Sequence, residues 1–210
     1  MILNLEQLKE KYNLDITGVI HVGAHFGKEF QIYEDLKIKN SIFFEPSSRT
    51  FQILKHNIGD KTIIVNKAVG NENKKIEINL ETSNEGQSNS ILNPKLHLHQ
   101  YPHIVFLEKE EVDMVRLDDF IKTPKDYNFM NIDVQGYELE VLKGSKELLK
   151  NIDYIIVEIN RAEVYENCPM VEELQSFLSE YNFELVEQDW AGGIWGDGFF
   201  IKEKNYKSIF

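Results

Sequence analysis

The feature that most limits how this chain can fold is an apolar run that ends in small residues, at positions 18–27 (GVIHVGAHFG). An apolar run followed by a glycine turn and an amphipathic segment predicts a strand, a tight turn and the start of a helix. Glycine has no Cβ and adopts positive φ readily, so such a turn lets a ligand approach the backbone closely. Glycine turns close many strands, and this one identifies no ligand without a second signal.

The second signal is an acid at the end of the next apolar run, at positions 41–46 (SIFFEP). Glu45 follows Gly23 by 22 residues. Nucleotide-binding folds place an acid about 20 residues beyond the glycine turn, where it holds the ribose hydroxyls. The two features together predict a site for a cofactor that contains a nucleoside.

Strands and helices alternate along most of the chain, which predicts an α/β fold with a mainly parallel sheet joined by right-handed crossovers. The predicted strands are residues 17–22, 41–44, 61–66, 128–133, 154–159, 183–188 and 198–202, with the last two as an antiparallel closing pair. The predicted helices are residues 3–12, 26–36, 46–56, 136–149 and 170–181. No linker or internal repeat is visible, so one domain is expected over residues 1–210, with an N-terminal helix within residues 1–14.

The middle of the chain breaks this alternation. Residues 75–80 and 112–117 alternate like half-exposed strands, whereas residues 81–110 are mostly polar and predict a long loop. Loops of this length are usually functional or disordered, so the segment is expected to bind the substrate or to act as a lid. Three histidines lie within it, without nearby cysteines and without a familiar zinc-ligand spacing: His97, His99 and His103.

Composition narrows the partners and the location. The net charge of −12 argues against binding to nucleic acid or to anionic membranes, because basic patches supply most of that affinity. The single cysteine, Cys168, allows no internal disulfide. No apolar run is long enough to span a bilayer, so no membrane insertion and a cytoplasmic location are expected. The oligomeric state is left open.

Three acids stand where predicted strands end: Glu45, Asp133 and Glu158. In open α/β sheets, ligands bind at the carboxyl ends of the strands, near the point where the strand order reverses. Burying several carboxylates near one crevice is unfavourable unless ligands or hydrogen bonds compensate. The alignment therefore predicts a site, although Asp133 also stands where a helix N-cap is expected.

The chain resembles the FkbM family of S-adenosylmethionine-dependent methyltransferases. The matching motifs occur in the family's order and spacing, at residues 19–27, 43–46, 66–70, 115–120, 131–138 and 141–144. The resemblance implies a class I methyltransferase fold, a Rossmann-like three-layer sandwich with a mostly parallel seven-stranded sheet and an antiparallel closing strand. It implies S-adenosylmethionine as the cofactor.

The resemblance also implies roles for particular residues. Gly23 and Ala24 would line the methionine part of the cofactor, and Asp133 would lie beside the sulfonium and the acceptor. The other residues implied for the cofactor site are Glu45 and Pro46 at the ribose, Ala68 and Val69 at the adenine, Ser90 in a segment that closes over the cofactor, and His21 and His25 in the turn. His21 replaces an acid that family members usually have, and a core histidine is the favoured interpretation of it.

The reaction implied is transfer of a methyl group to a nucleophile, with a hydroxyl of a sugar or glycan as the favoured acceptor. N-methylation and a small-molecule acceptor remain open. The candidate general bases are Asp133, Glu158 and His25. A divalent metal bound by Asp133 and Glu158 is a less favoured alternative, and no metal ligand is assigned. Aromatic residues that could stack on a sugar face, or simply pack, are Tyr101, Phe106, Trp190 and Trp195.

Two other classes remain open. An NAD-dependent oxidoreductase shares the glycine turn and the spaced acid, but the turn lacks the dinucleotide pattern of three glycines over six positions. A non-catalytic Rossmann-like binding module is the other, and the unusual His21 is its best support.

Overall fold

The computed structural model describes residues 2–191 and 193–206 and shows two sheets. The ten strands are β1 Gly18–Val22, β2 Asn40–Phe44, β3 Ile63–Val65, β4 Ala68–Val69, β5 Lys74–Glu81, β6 Phe106–Val115, β7 Phe129–Ile132, β8 Tyr154–Asn160, β9 Phe183–Ala191 and β10 Trp195–Lys202. The larger sheet has seven strands in the order β3-β2-β1-β7-β8-β10-β9, and the smaller has three in the order β4-β6-β5.

The large sheet is mostly parallel. Strands β1, β2, β3, β7 and β8 run in one direction, and β10 lies antiparallel to both of its neighbours. The predicted fold class is therefore confirmed, including the antiparallel closing strand. The strand order reverses between β1 and β7, where open α/β sheets form their binding crevice.

Register brings the ends of the central strands together. Val22, the last residue of β1, lies beside Phe44 of β2 and Ile132 of β7. The residues that directly follow these three strands therefore lie at the same edge of the sheet.

The sheet is buried on both faces, as parallel strands require. Every residue of β1, β7 and β8 is buried. Because successive side chains point to opposite faces, neighbouring residues join two different cores: Ile20 belongs to one cluster and Val19 to the other.

Helices cover both faces, several of them shorter than predicted. They are α1 Leu5–Lys11, α2 Phe30–Asp35, α3 Ser48–Ile58, α4 His97–Gln100, α5 Leu117–Phe120, α6 Glu138–Lys143, α7 Val171–Ser179 and α8 Glu203–Tyr206. The predicted helix 26–36 begins only at Phe30, since Gly27 has φ +74°. The predicted helix 136–149 ends at Lys143. Gly144, which follows, packs so closely on the carbonyl oxygen of Gly70 that a Cβ would lie 2.0 Å from it.

The loop predicted over residues 81–110 is shorter than expected. Glu81 ends β5, and β6 begins at Phe106 and pairs with β5 as an antiparallel hairpin. The predicted strand 112–117 overlaps the second part of β6. Charged residues concealed the first part, because its exposed face carries cross-strand ion pairs such as Lys109 with Glu77 at 2.6 Å. Residues 82–105 connect the two strands and include the short helix α4. In the described residues, no helix is long and apolar enough to cross a membrane.

Candidate active site

A cavity of about 660 Å³ opens at the carboxyl edge of the large sheet. Residues from the segment 84–104 form part of its lining, so this segment covers the strand ends. All the site residues predicted from the sequence line the cavity: His21, Gly23, Ala24, His25, Glu45, Pro46, Ala68, Val69, Ser90, Asp133 and Glu158. The fold thus brings the whole predicted set to one place.

The turn after β1 is fixed by the neighbouring strands. Gly23 has φ +82°, and a Cβ there would lie 1.7 Å from the carbonyl oxygen of Asp133. The amides of Gly23 and Ala24 both donate to the carbonyl of Phe44, at 3.0 and 2.9 Å. The sequence suggested that this glycine makes room for a ligand. The structure shows that it makes room for the backbone that follows β7.

Gly23→Ala is expected to destabilise the fold by at least about 2 kcal/mol, because it combines strain at positive φ with a backbone overlap. Gly193→Ala is the matched control, since Gly193 has φ +83° and nothing within 4 Å of an added Cβ. Thermal unfolding of the two variants checks this. Equal losses of melting temperature would contradict the role of the overlap.

Glu45 is a buried carboxylate with two backbone donors. Its Oε2 accepts from the amide of His25 at 2.9 Å and its Oε1 from the amide of Ser47 at 3.0 Å. Burial raises the pKa of Glu45 to about 7, and these two hydrogen bonds oppose that shift. Each carboxylate oxygen accepts more than one hydrogen bond, so both can still receive a hydroxyl from the cavity.

His25 joins the turn to the segment that covers the cavity. Its backbone has φ +49°. Its ring stacks on Phe26 at 3.8 Å, and its Nε2 lies 2.9 Å from the carbonyl oxygen of Glu85. A carbonyl only accepts, so Nε2 carries the hydrogen and Nδ1 is left as the acceptor of the neutral ring. Burial lowers the pKa of His25.

His21 is a core histidine. It is 2% exposed, and its Nδ1 lies 3.2 Å from the hydroxyl of Tyr33. Its Nε2 lies 3.4 Å from the side-chain amide of Asn131, and Phe43 packs beside the ring. Burial lowers the pKa of His21, which favours the neutral ring. A neutral ring does not repel the ammonium group of the methionine part of the implied cofactor. This removes the main objection to cofactor binding beside His21, where family members usually have an acid.

Asp133 and Glu158 face each other at the ends of β7 and β8. The side-chain amide of Gln135 bridges them, donating to Asp133 Oδ1 at 2.7 Å and to Glu158 Oε2 at 2.5 Å. Burial, followed by the charge of Asp133, raises the pKa of Glu158 well above its usual range. The raised pKa favours the protonated form of Glu158, and a protonated carboxyl is a poor general base.

The helix-cap interpretation of Asp133 is wrong. Helix α6 starts five residues later, and Tyr137 is its N-cap without a side-chain hydrogen bond. Glu138 instead holds the turn that precedes the helix, since its Oε1 accepts the amides of Val134 and Gly136 at 3.1 and 3.0 Å.

Sequence reasoning missed Gln135. Its backbone has φ +56°, its Oε1 accepts from the hydroxyl of Tyr165 at 2.8 Å, and its carbonyl accepts from Ser90 Oγ at 2.6 Å. It thereby links both acids to the segment above the cavity. Its place in the 131–138 motif was the only signal available, because an uncharged amide does not stand out by composition.

Asp197 was also missed. It lies on β10 directly beside Glu158, is 4% exposed and lines the cavity. Its carboxylate accepts the backbone amides of Ile2 and Leu3, the latter at 3.0 Å. Sequence distance hid it, since only the register of β8 and β10 makes the two acids neighbours.

Aromatic and imidazole side chains also line the cavity. The indole of Trp195 donates to the hydroxyl of Tyr101 at 3.0 Å, and His97 Nε2 lies 3.0 Å from Ser88 Oγ. His103 lines the cavity as well, whereas His99 does not. Among residues 2–191 and 193–206, no group of three or more His, Cys, Asp or Glu side chains is arranged to hold a metal ion.

Several solved structures share this architecture. A protein of the NADB-Rossmann superfamily from Streptococcus agalactiae superposes with a TM-score of 0.52 at 11% identity, over 96% of this chain and 70% of its own. Magnesium protoporphyrin IX methyltransferase from Synechocystis PCC 6803, solved with bound S-adenosylmethionine, gives a TM-score of 0.51 at 9% identity, over 94% and 76%. These likenesses concern the fold alone.

Sequence comparison is more specific. The chain is 28% identical over 190 residues to the 2-O-methyltransferase NoeI of Sinorhizobium fredii, covering 85% of this chain and 76% of that protein. The profile of the methyltransferase FkbM domain matches residues 21–185, from the end of β1 to the start of β9, and this range holds most of the residues that line the cavity. The chain therefore belongs to the FkbM methyltransferase domain family, which confirms the resemblance and the enzyme class predicted from the sequence.

Proposed function

We propose that this protein transfers a methyl group from S-adenosylmethionine to a hydroxyl of a sugar or glycan. The observation that carries the proposal is the meeting, in one cavity, of the turn after β1, the buried Glu45 and the bridged pair of Asp133 and Glu158. Membership of the FkbM family supports methyl transfer, and the name of NoeI supports a hydroxyl acceptor.

The cavity residues fit the parts of the cofactor. Glu45 has free lone pairs for the two ribose hydroxyls, while the buried Ala68 and Val69 offer an apolar surface for adenine. Gly23 and Ala24 shape the wall at the methionine end, and Lys28 also lines the cavity after that turn. S-adenosylmethionine supplies a methyl group on a sulfonium, which is open to in-line attack by an oxygen nucleophile.

Asp133 is the general base in this proposal. The acceptor hydroxyl would give its proton to the Asp133 carboxylate as its oxygen bonds to the methyl group; the methyl–sulfur bond would break, and the sulfur would leave with the electron pair as a neutral thioether. Gln135 fixes that carboxylate from one side through its 2.7 Å hydrogen bond. The raised pKa of Glu158 favours its protonated form, which can donate a hydrogen bond, and His25 Nε2 is bound to the Glu85 carbonyl. Positioning of this kind reduces the entropy of encounter between the reactants.

The metal alternative fits the pair less well. A cation that bridged Asp133 and Glu158 would have to displace the Gln135 amide, which already donates to both. The proposal therefore assigns these carboxyls to proton transfer and hydrogen bonding.

We also propose that residues 82–105 act as the acceptor-binding lid within a single domain. The lining residues from this segment support it. The net charge of −12 and the single cysteine support a small-molecule or glycan acceptor rather than nucleic acid, and a cytoplasmic location.

Calorimetry with S-adenosylmethionine and with NAD, followed by methyl transfer to a panel of sugars, tests the proposal. We expect binding of S-adenosylmethionine in preference to NAD, and a product heavier by one methyl group. Binding of NAD alone would favour an oxidoreductase. Cofactor binding without transfer to any acceptor would favour a non-catalytic module.

The affinity for S-adenosylmethionine should rise with pH between about 6 and 8. The pKa of Glu45 is raised to about 7, so below that pH its protonated form predominates and loses acceptor capacity for the ribose hydroxyls. Each pH unit below the pKa should weaken binding by up to about tenfold. Calorimetry across this range, with Glu45→Gln as the control, separates this effect from titration of the ligand. A wild-type profile parallel to that of the variant would contradict it.

A further inference from the structure

The cavity divides into two halves by the strands beneath it. Gly23, Glu45 and Ala68 lie near the ends of β1, β2 and β3, and form the half assigned to the cofactor. Asp133, Glu158 and Asp197 belong to the β7, β8 and β10 side, and form what we call the acceptor half.

The acceptor half is acidic. Glu158 and Asp197 face each other across β8 and β10, at 3% and 4% exposure, and Asp133 completes the row. Among the described residues, the Lys and Arg side chains that line the cavity are Lys28 and Lys67, which follow β1 and β3 on the cofactor side. Lys67 is also paired with Asp113 at 2.9 Å. No lysine or arginine of the described lining thus faces the acceptor half.

The pKa of Glu158 shows that the acceptor half disfavours negative charge. Burial and the neighbouring acids Asp133, Glu138 and Asp197 all raise the pKa of Glu158. A further negative charge placed beside them meets the same dehydration and the same repulsion.

The rest of the acceptor half suits a ring with hydroxyl groups. Trp195 and Tyr101 are locked together by their 3.0 Å hydrogen bond and offer aromatic surface. His97 is 3% exposed, and its Nδ1 has no hydrogen-bond partner among residues 2–191 and 193–206. Carboxylates accept hydrogen bonds from hydroxyls, and an aromatic face covers the apolar side of a sugar ring.

We propose that the acceptor half selects an uncharged polyhydroxyl ring and excludes rings that carry a carboxylate, sulfate or phosphate. The inference rests on the proposed methyl transfer and adds the charge class of the acceptor. The carboxyl row, formed by Asp133, Glu158 and Asp197, supplies both parts of this selection. Its oxygens accept hydroxyl hydrogens, and its buried acids disfavour a further negative charge beside them.

The test uses acceptor pairs that differ only in charge. Methyl glycosides of hexuronic acids are compared with their uronamides, and hexose 6-phosphates with free hexoses, with methyl transfer followed by mass spectrometry. We expect kcat/KM for the neutral member of a reactive pair to exceed that of the charged member by at least about tenfold. Equal or faster reaction of the charged member would overturn the inference.

Variants assign the effect to the carboxyl row. Asp197→Asn keeps an oxygen for the backbone amides of residues 2 and 3, and it should narrow the neutral-to-charged ratio severalfold. Asp189→Asn is the matched control, because Asp189 lies beside Asp197 on β9 but is exposed and outside the cavity. An unchanged ratio in Asp197→Asn would overturn the role given to this acid, and the wild-type comparison needs no variant at all.

Calorimetry with S-adenosylmethionine, run first, separates the two proposals. Loss of cofactor binding would remove the proposed function itself. Cofactor binding with no neutral ring methylated would overturn only the neutral-ring inference and leave methyl transfer to another acceptor class.

Discussion

Replacing Glu45 by alanine should weaken binding of S-adenosylmethionine by at least about 100-fold. Two hydrogen bonds from the ribose to a carboxylate would be lost, each worth about 1.5–3 kcal/mol, and about 2.8 kcal/mol corresponds to 100-fold. The burial of Glu45 strengthens the expectation, since little water replaces the missing acceptor. Isothermal titration calorimetry measures the change directly.

The control for this variant is Glu110→Gln. Glu110 lies close enough to raise the pKa of Glu45, yet it holds Ser48 and does not line the cavity. Neutralising Glu110 should change the affinity for the cofactor by less than about threefold, because solvent screens the effect of a partly exposed charge. If Glu45→Ala bound the cofactor as well as Glu110→Gln does, the ribose assignment would fail.

Asp133→Asn is expected to lower kcat by about 10²–10⁴-fold, the range for loss of a positioned general base. The asparagine oxygen can still accept from Gln135, so the melting temperature should change little. Single-turnover methyl transfer at saturating cofactor measures the chemical step apart from binding.

Glu158→Gln makes the same chemical change on the partner acid. Because the raised pKa of Glu158 favours its protonated form, an amide of the same shape should retain at least about a tenth of the activity. A loss in Glu158→Gln equal to that in Asp133→Asn would show that the base had been assigned to the wrong residue.

Local hydrophobic patterns in the sequence predicted most of the large sheet. The apolar runs around β1, β2 and β8 are buried throughout or nearly so, and short-range spacing was enough to place Glu45 near the turn after β1. Parallel pairing then brings Asp133 to the same edge, because all these strands share one direction.

Local patterns did not predict contacts between segments that are distant in the sequence. Asp197 becomes a neighbour of Glu158 only through the register of an antiparallel pair. The end of α6 depends on the close approach of Gly144 to Gly70, 74 residues earlier. The first part of β6, residues 106–111, was missed because its exposed face is charged, and charged residues are equally common in loops.

The turn after β1 has a consequence for binding kinetics and hydrogen exchange. Three successive amides, those of Gly23, Ala24 and His25, all donate to Phe44 and Glu45 at the end of β2. The wall proposed to contact the cofactor is therefore already ordered in the free protein. The entropy cost of ordering it is met during folding and not during association. These amides should exchange slowly with deuterated water even in the free protein.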